Sequence, residues 1–222
     1  MLPLQYQHIT CRSPAWNGRT QRAVEDFSKS FASESTTAFH GGYSSKAALL
    51  LSIPGMIKPP DSAWIGVLGE SVLTMETSAA HQSRDTAFGF LCTHPHLLPS
   101  FSVAENIAAP CLRLCGKSID AARKRVAEVF HMSEINASRA NLARCILDEA
   151  AHWRVPFAHS IAHHPKILVT VSPPALLLLP QAKRYDQQTG AAALWTAGSL
   201  DATRMCDRIL HPGSAKTSTV VI

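Results

Sequence analysis

Lys46 is the residue whose type and setting most strongly suggest chemistry, because it follows a loop with two glycines and precedes an apolar segment. Residues 37–39 predict a short buried strand, residues 40–45 a loop, and residues 46–53 a helix that ends before Pro54. A strand, a glycine-bearing loop, a lysine and a helix form the layout of a phosphate-binding loop, G-x-x-x-x-G-K-[ST]. The stretch therefore indicates a place where a phosphate group would bind.

The residues of this loop fit the phosphate-binding pattern poorly. Counted from Lys46, the first glycine position holds His40, the second holds Ser45, and the hydroxyl position holds Ala47. A Cβ atom at Ser45 restricts the backbone where it would approach a phosphate, and an alanine has no oxygen for Mg²⁺. Two interpretations stay open: a phosphate loop that has lost its chemistry, or a loop that never had any.

The composition indicates a globular protein without an obvious nucleic-acid surface. The chain has 222 residues, of which 46% are hydrophobic and 17% charged, and its formal net charge is +5. That length suits one large domain, or a domain with a subdomain. The positive charges form no run, so we expect an ordinary solvated surface and no nucleic-acid partner.

Several other classes of function are disfavoured by missing motifs. The six cysteines contain no C-x-x-C pair, and no G-x-S-x-G element of a serine hydrolase occurs. The histidine pairs His94 and His96, and His163 and His164, lack carboxylate partners, so we expect solvated or capping histidines and no metal site. No apolar run reaches the roughly 20 residues of a membrane span, and no signal peptide is recognisable, which favours a cytoplasmic protein.

The order of predicted elements favours an α/β fold with a mainly parallel sheet. Short apolar or β-branched segments predict strands at 4–10, 24–31, 37–39, 63–68, 87–92, 167–171, 191–196, 208–210 and 217–222. Between them, residues 94–152 read as mainly helical, with a capping box formed by Ser102 and Glu105, and a further helix is predicted at 157–163. Strands that alternate with helices are typical of parallel sheets.

The sequence resembles the ATP-binding cassette of ABC transporters, above all the small cassettes of the lipoprotein-release and macrolide-export type. The most specific stretch is Gly89-Phe90-Leu91 followed by Leu97-Leu-Pro-Ser-Phe-Ser-Val-Ala-Glu-Asn-Ile107, which is similar to the family's F-x-F-Q … L-L-P-x-L-T-V-x-E-N-V. Residues 154–168 and Cys206-Asp-Arg-Ile-Leu210 are similar to two later family segments. The resemblance implies a P-loop NTPase-like α/β core at 1–93 and 153–222, with an N-terminal antiparallel β subdomain, and a helical subdomain at 94–152.

The resemblance also shows which catalytic groups the family needs and this chain lacks. Six features of the family's ATPase site fall on unsuitable residues, namely Ser45, Ala47 with Ala48, Thr93, Leu147 to Ala151, Val171 with Ser172, and Ala197. ATP hydrolysis depends on positioning and on charge stabilisation by such groups. We therefore expect a pseudo-ATPase with no catalytic residues and no cofactor beyond residual ATP at a vestigial site. That site would comprise Trp16, which lies where the family stacks adenine, and Gly42, Ser44, Ser45 and Lys46.

In the family, the region after the fifth predicted strand, at residues 93–112 of this chain, receives a helix of the membrane permease. The resemblance thus predicts a partner-binding surface at Leu97, Leu98, Pro99, Phe101, Glu105 and Asn106. It implies a structural or regulatory subunit, peripheral at the cytoplasmic side of the inner membrane, which binds a permease and forms a homodimer or a heterodimer with an active cassette. The alternatives are a cassette-fold scaffold without a permease, and a weak ATP-binding partner of an active cassette.

Overall fold

The computed structural model describes residues 2–14, 20–40, 46–53, 62–92, 97–143, 147–171, 175–197, 200–211 and 220–221. The strands in these ranges are β1 Leu4–Pro14, β2 Thr20–Phe31, β3 Ser35–His40, β4 Ser62–Val67, β5 Glu70–Ser71, β6 Phe88–Leu91, β7 Ile167–Thr170, β8 Ala192–Ala197, β9 Arg208–Leu210 and β10 Val220–Val221. The helices are α1 Lys46–Ser52, α2 Thr77–Ala87, α3 Val103–Cys115, α4 Ile119–Met132, α5 Glu149–Ile161, α6 Ala175–Thr189 and α7 Leu200–Arg204, with a 3₁₀ turn at Ala137–Arg139.

The larger sheet has six strands in the order β10-β9-β3-β8-β7-β6. Strands β9, β3, β8, β7 and β6 are mutually parallel, and β10 is antiparallel to β9. Parallel strands are covered on both faces and therefore read as nearly continuous apolar runs, as Ile167 to Thr170 do. Because the five strands run the same way, their carboxyl ends lie at one edge of the sheet.

The smaller sheet is antiparallel, in the order β2-β1-β4-β5. It packs against α1 and one face of the larger sheet through an apolar cluster that includes Phe31, Phe39 and Leu51. A buried hydrogen bond joins the two parts, because the Tyr6 hydroxyl donates to the carbonyl oxygen of Leu50 in α1 at 3.0 Å. Helix α1 is thus held by the small sheet as well as by β3.

A second apolar cluster covers the opposite face of the larger sheet and contains side chains of α3, α4, α5 and α6. Arg125 of α4 is 4% exposed and holds the end of α5. Its guanidinium donates to the carbonyl oxygens of Ile161 and Ala162 at 2.9 and 3.0 Å, and also pairs with Glu128. Carbonyls at a helix end have no intrahelical partner, so this contact fastens α4 to α5.

The fold predicted from the sequence is confirmed: an α/β protein with a mainly parallel sheet, an antiparallel N-terminal sheet and a helical lobe. Several details were wrong, since β1 runs on to Pro14 and both β5 and α7 were missed. Strand β2 begins at Thr20 rather than residue 24, the helix predicted at 157–163 begins at Glu149, and α2 and α6 were not predicted. The subdomain boundary at 152/153 stays a prediction, and α5 runs across it. In the ranges listed above, no helix is both long and apolar enough to cross a membrane.

Candidate functional site

Lys46 is the one residue of the predicted nucleotide site that the structure describes. It is the exposed first residue of α1, six positions after β3 ends at His40. The other four residues of that prediction, Trp16, Gly42, Ser44 and Ser45, lie outside the described residues. The lysine therefore stands at the carboxyl edge of the sheet, where open α/β proteins bind ligands.

In the described ranges, three positions that the resemblance assigns to the family's ATPase site hold apolar residues. Ala47 is fully buried in the cluster between α1 and the small sheet, and Val171, which follows β7, packs against the same cluster. Ala197 ends β8, the strand between β3 and β7. Thr93 and Ser172 lie outside the described residues, as does the side chain of Ala48. In the described ranges, no group of three or more His, Cys, Asp or Glu side chains is arranged to hold a metal ion.

The N-terminus of α5 is occupied by a carboxylate of the chain itself. Asp148 is the N-cap residue, and its side chain accepts a hydrogen bond from the Ala151 backbone N–H at 2.8 Å. The same carboxylate pairs with Arg139, and this hydrogen bond from the guanidinium lowers the pKa of Asp148. The N-terminal end of a helix attracts anions, and here that position is already filled.

The second predicted site, residues 97–106, is a tightly built loop and helix start. The buried Asn106 side chain organises it: Oδ1 accepts from the Leu98 N–H at 2.8 Å, and Nδ2 donates to the carbonyl oxygens of Leu98, Phe101 and Ser102 at 3.0–3.1 Å. The amide of Asn106 thus fixes the loop 97–102 from inside. The carbonyl oxygen of Asn106 in turn accepts a hydrogen bond from His159 Nδ1 of α5 at 2.8 Å.

The start of α3 is fully satisfied by protein groups. The predicted capping box is confirmed, since Ser102 Oγ accepts from the Glu105 N–H and the Glu105 carboxylate accepts from the Ser102 N–H. The N–H groups of Val103 and Ala104 donate to the carbonyl oxygens of residues 142 and 140. These bonds hold Glu105 in place, and the backbone hydrogen bond from Ser102 lowers its pKa.

The structure divides the six predicted partner-binding residues into two groups. Leu98, Pro99, Phe101 and Glu105 are exposed, and the first and third of these leave 48% and 37% of their surface open. Leu97 and Asn106 are buried, so their predicted contact with a partner is corrected to an internal role. We call the exposed group Leu98, Pro99, Phe101 and Glu105 the 98–105 surface.

The sequence did not reveal that His159 and His163 form hydrogen bonds that hold this region together. His159 supports Asn106 as described, and burial lowers its pKa. His163, predicted to be solvated or capping, is 9% exposed, and its Nε2 donates to the Phe88 carbonyl oxygen at 2.9 Å. Gly89, the next residue after Phe88, lies so close to α5 that an added Cβ would come within 2.2 Å of the Ser160 carbonyl oxygen. The sequence around a histidine contains no local pattern from which such a hydrogen bond between distant segments could be predicted.

Comparisons with known proteins agree with this architecture. The chain is 30% identical over 178 residues to the lipoprotein-releasing system ATP-binding protein LolD of Hahella chejuensis, covering 76% of this chain and 66% of that protein. It is 28% identical over 174 residues to LolD 2 of Caulobacter vibrioides, covering 75% of each. The methionine import ATP-binding protein MetN 2 of Salmonella choleraesuis is 25% identical over 214 residues, which is 93% of this chain and 62% of that protein. No protein-family model matches the chain.

Among solved structures, the dimeric bacterial ABC transporter cassette MJ0796 superposes with a TM-score of 0.81, with 97% of each chain covered at 17% identity. The fold and the sequence similarities together define the chain as an ABC-type ATP-binding cassette. Within that class, it is similar in sequence to the ATP-binding proteins of lipoprotein-releasing systems.

Proposed function

We propose that this cassette is catalytically inactive and serves as a structural or regulatory subunit of a membrane transport or envelope-assembly complex. The observation that carries the proposal is the apolar character of Ala47 and Val171, which stand where the resemblance places the Mg²⁺-binding hydroxyl and carboxylate. Both side chains belong to the packing between α1 and the small sheet. Phosphoryl transfer needs a metal held against the phosphates, and methyl groups cannot hold one.

The acidic N-terminus of α5 supports the same proposal. In the resemblance, residues 147–151 correspond to the segment that binds the γ-phosphate across a dimer. Here Asp148 fills the helix N-terminus with its own carboxylate, and Glu149 adds a second exposed negative charge. The exposed carboxylate of Glu149 opposes the approach of a triphosphate, and Asp148, although paired with Arg139, occupies the Ala151 N–H that an anion would otherwise bind.

The remaining work of the protein would be binding, through the 98–105 surface. A permease or other subunit at the inner membrane is the expected partner, with the cassette on the cytoplasmic side and paired with itself or with an active cassette. Similarity to the lipoprotein-releasing and methionine-import proteins supports a transport complex of this kind. The alternative is a cassette-fold scaffold without a permease, in which the 98–105 surface would bind a different protein.

Addition of Mg-ATP is expected to have no effect on the isolated protein. We expect no steady-state ATP hydrolysis above that of Lys46→Ala, and a rise in the thermal midpoint below about 1 °C at millimolar Mg-ATP, because a ligand stabilises only the state that it binds. Turnover that disappears in Lys46→Ala would refute the proposal. A clear rise in the midpoint without turnover would instead favour the weak ATP-binding alternative.

Affinity purification of the chain from the membranes of its own cells separates the partner hypotheses. We expect a polytopic membrane protein to co-purify with the wild-type chain and to be lost with Leu98→Ser or Phe101→Ser. Ile119→Ser is the matched control, since Ile119 is an exposed apolar residue of the helical lobe, 63% open, outside the 98–105 surface. Recovery of a soluble protein in place of a membrane protein would favour the scaffold without a permease.

A further inference from the structure

We propose that His40 and His211 form a two-histidine site for a transition-metal ion at the carboxyl edge of the larger sheet. The two residues are far apart in the chain, and only the pairing of β3 with β9 brings them together. This pairing runs Thr37 to Arg208, Ala38 to Ile209 and Phe39 to Leu210. One step further along this register sets His40 beside His211.

Strand geometry places both imidazoles on one face. Side chains alternate along a strand, so His40 lies on the same face as Ala38, and His211 on the same face as Ile209. Adjacent parallel strands are about 4.8 Å apart, which is the spacing at which two imidazoles can bind one ion. The other neighbour of His40 in the sheet register is Ala197, and an alanine has no ligand atom that would compete.

The arrangement of the two rings is compatible with metal binding. Their centroids are 5.2 Å apart and their planes are inclined by 58°. A zinc ion about 2.1 Å from one nitrogen of each ring, in tetrahedral geometry, sets the centroids about 5 Å apart. The inclination excludes a stacked pair, in which the two ring planes would be nearly parallel.

His40 also carries an unused ligand atom. Its Nδ1 is buried and has no hydrogen-bond partner within the described part of the chain. A buried polar atom without a partner destabilises a fold, and coordination of a metal satisfies it. Imidazole nitrogen suits Zn²⁺, Ni²⁺ and Cu²⁺ rather than Mg²⁺, so the ion would differ in class from the one that accompanies ATP. Water would supply the remaining ligands.

Titration of the full-length chain, without a polyhistidine tag, with Zn²⁺ tests the site by calorimetry. We expect one ion to bind per chain, and His40→Gln and His211→Gln each to weaken binding by about tenfold or more. His8→Gln and Cys115→Ser are the controls. His8 belongs to an exposed pair with Asp26, and Cys115 is an exposed thiol, so each could bind Zn²⁺ at a different place on the surface. If the ion binds between His40 and His211, either control substitution should leave the Zn²⁺ affinity within about twofold of the wild type.

A second measurement on the wild-type chain covers the case in which a substitution at the partly buried His40 prevents folding. In NMR spectra with Zn²⁺ added below one equivalent, we expect the imidazole C–H signals of His40 and His211 to shift together before those of any other histidine. Unchanged affinity in both histidine variants would overturn the proposal, as would loss of binding in either control, or first shifts at other histidines. The site is independent of the proposed function, since it requires neither ATP nor a permease.

Discussion

Asn106→Ala is expected to destabilise the protein by about 2–4 kcal/mol, because the variant leaves buried backbone groups without partners. Among the described contacts, the Leu98 N–H donates only to Asn106 Oδ1, and the Phe101 carbonyl oxygen accepts only from Asn106 Nδ2. The carbonyl oxygens of Leu98 and Ser102 keep a second bond each, from the N–H groups of residues 101 and 106. Chemical denaturation followed by circular dichroism measures the loss.

Asn136→Ala is the matched control for this substitution. Asn136 also accepts a backbone hydrogen bond, from Ser138 at 2.9 Å, but it is exposed at the start of a 3₁₀ turn. Loss of such a cap costs about 0.5–1 kcal/mol. Equal destabilisation by the two variants would show that the Asn106 amide does not organise the loop 97–102, and the role assigned to this residue would then be wrong.

A comparison of Asn106→Ala with Leu98→Ser bears on the 98–105 surface. If the surface binds a partner, Asn106→Ala should weaken that binding although the residue is buried, because Leu98 and Phe101 lose the loop that holds them. Leu98→Ser should weaken the binding with little change in stability, since this side chain is half exposed. A structural and a contacting residue are thus distinguished by comparing stability with affinity.

Local signals in the sequence predicted those parts of the fold that local physics determines. The strand Ile167–Thr170 was recognisable as a continuous apolar run, and the capping box of Ser102 and Glu105 as a motif within four residues. Helix α2 was not predicted because only Ala80 and Ala87 are buried on it, so its sequence has no apolar stripe. Helix α6 was not predicted because Pro180 lies within it, and an internal proline normally argues against a helix.

The site could be predicted only as far as it is continuous in sequence. The stretch 97–107 was found as a unit, but the sequence could not show that Asn106 points inward while Leu98 points outward, because that depends on packing against His159 of α5. The proximity of His40 and His211 could not be predicted for the same reason, because it depends on the pairing of two strands that are distant in the sequence.

Asp186→Asn is expected to remove a marked pH dependence of stability. Asp186 of α6 is 1% exposed, its Oδ2 accepts from the Thr36 hydroxyl at 3.1 Å, and its Oδ1 has no partner within the described ranges. Burial raises the pKa of this carboxyl from 3.8 to about 8, against the opposing effect of the Thr36 hydrogen bond. The value of about 8 also includes the charge of nearby Asp207, which raises the pKa, and that of Lys183, which pairs with Asp207 at 2.7 Å and lowers it.

The sign of the effect follows from which state holds the proton. Between pH 3.8 and about 8 the folded protein keeps a proton on Asp186 that the unfolded chain has released. The free energy of unfolding therefore falls as the pH rises through this window. Buried His159 and His163, whose pKa values are lowered from 6.5, give the opposite slope below that pH. The contribution of Asp186 is therefore obtained from the difference in unfolding free energy between the wild type and Asp186→Asn, and not from the pH dependence of the wild type alone.

Urea unfolding at pH 5 and pH 8.5 provides this difference. The asparagine side chain of Asp186→Asn cannot ionise, and its amide oxygen can still accept from Thr36. The variant should therefore match the wild type at pH 5 within about 1 kcal/mol and exceed it at pH 8.5 by about 2–4 kcal/mol. Asp201→Asn is the control, because Asp201 is 88% exposed and its loss should leave the wild-type slope unchanged. A variant at position 186 that keeps that slope would mean that the buried carboxyl is already ionised in the folded protein, with its charge compensated by Thr36 and Lys183.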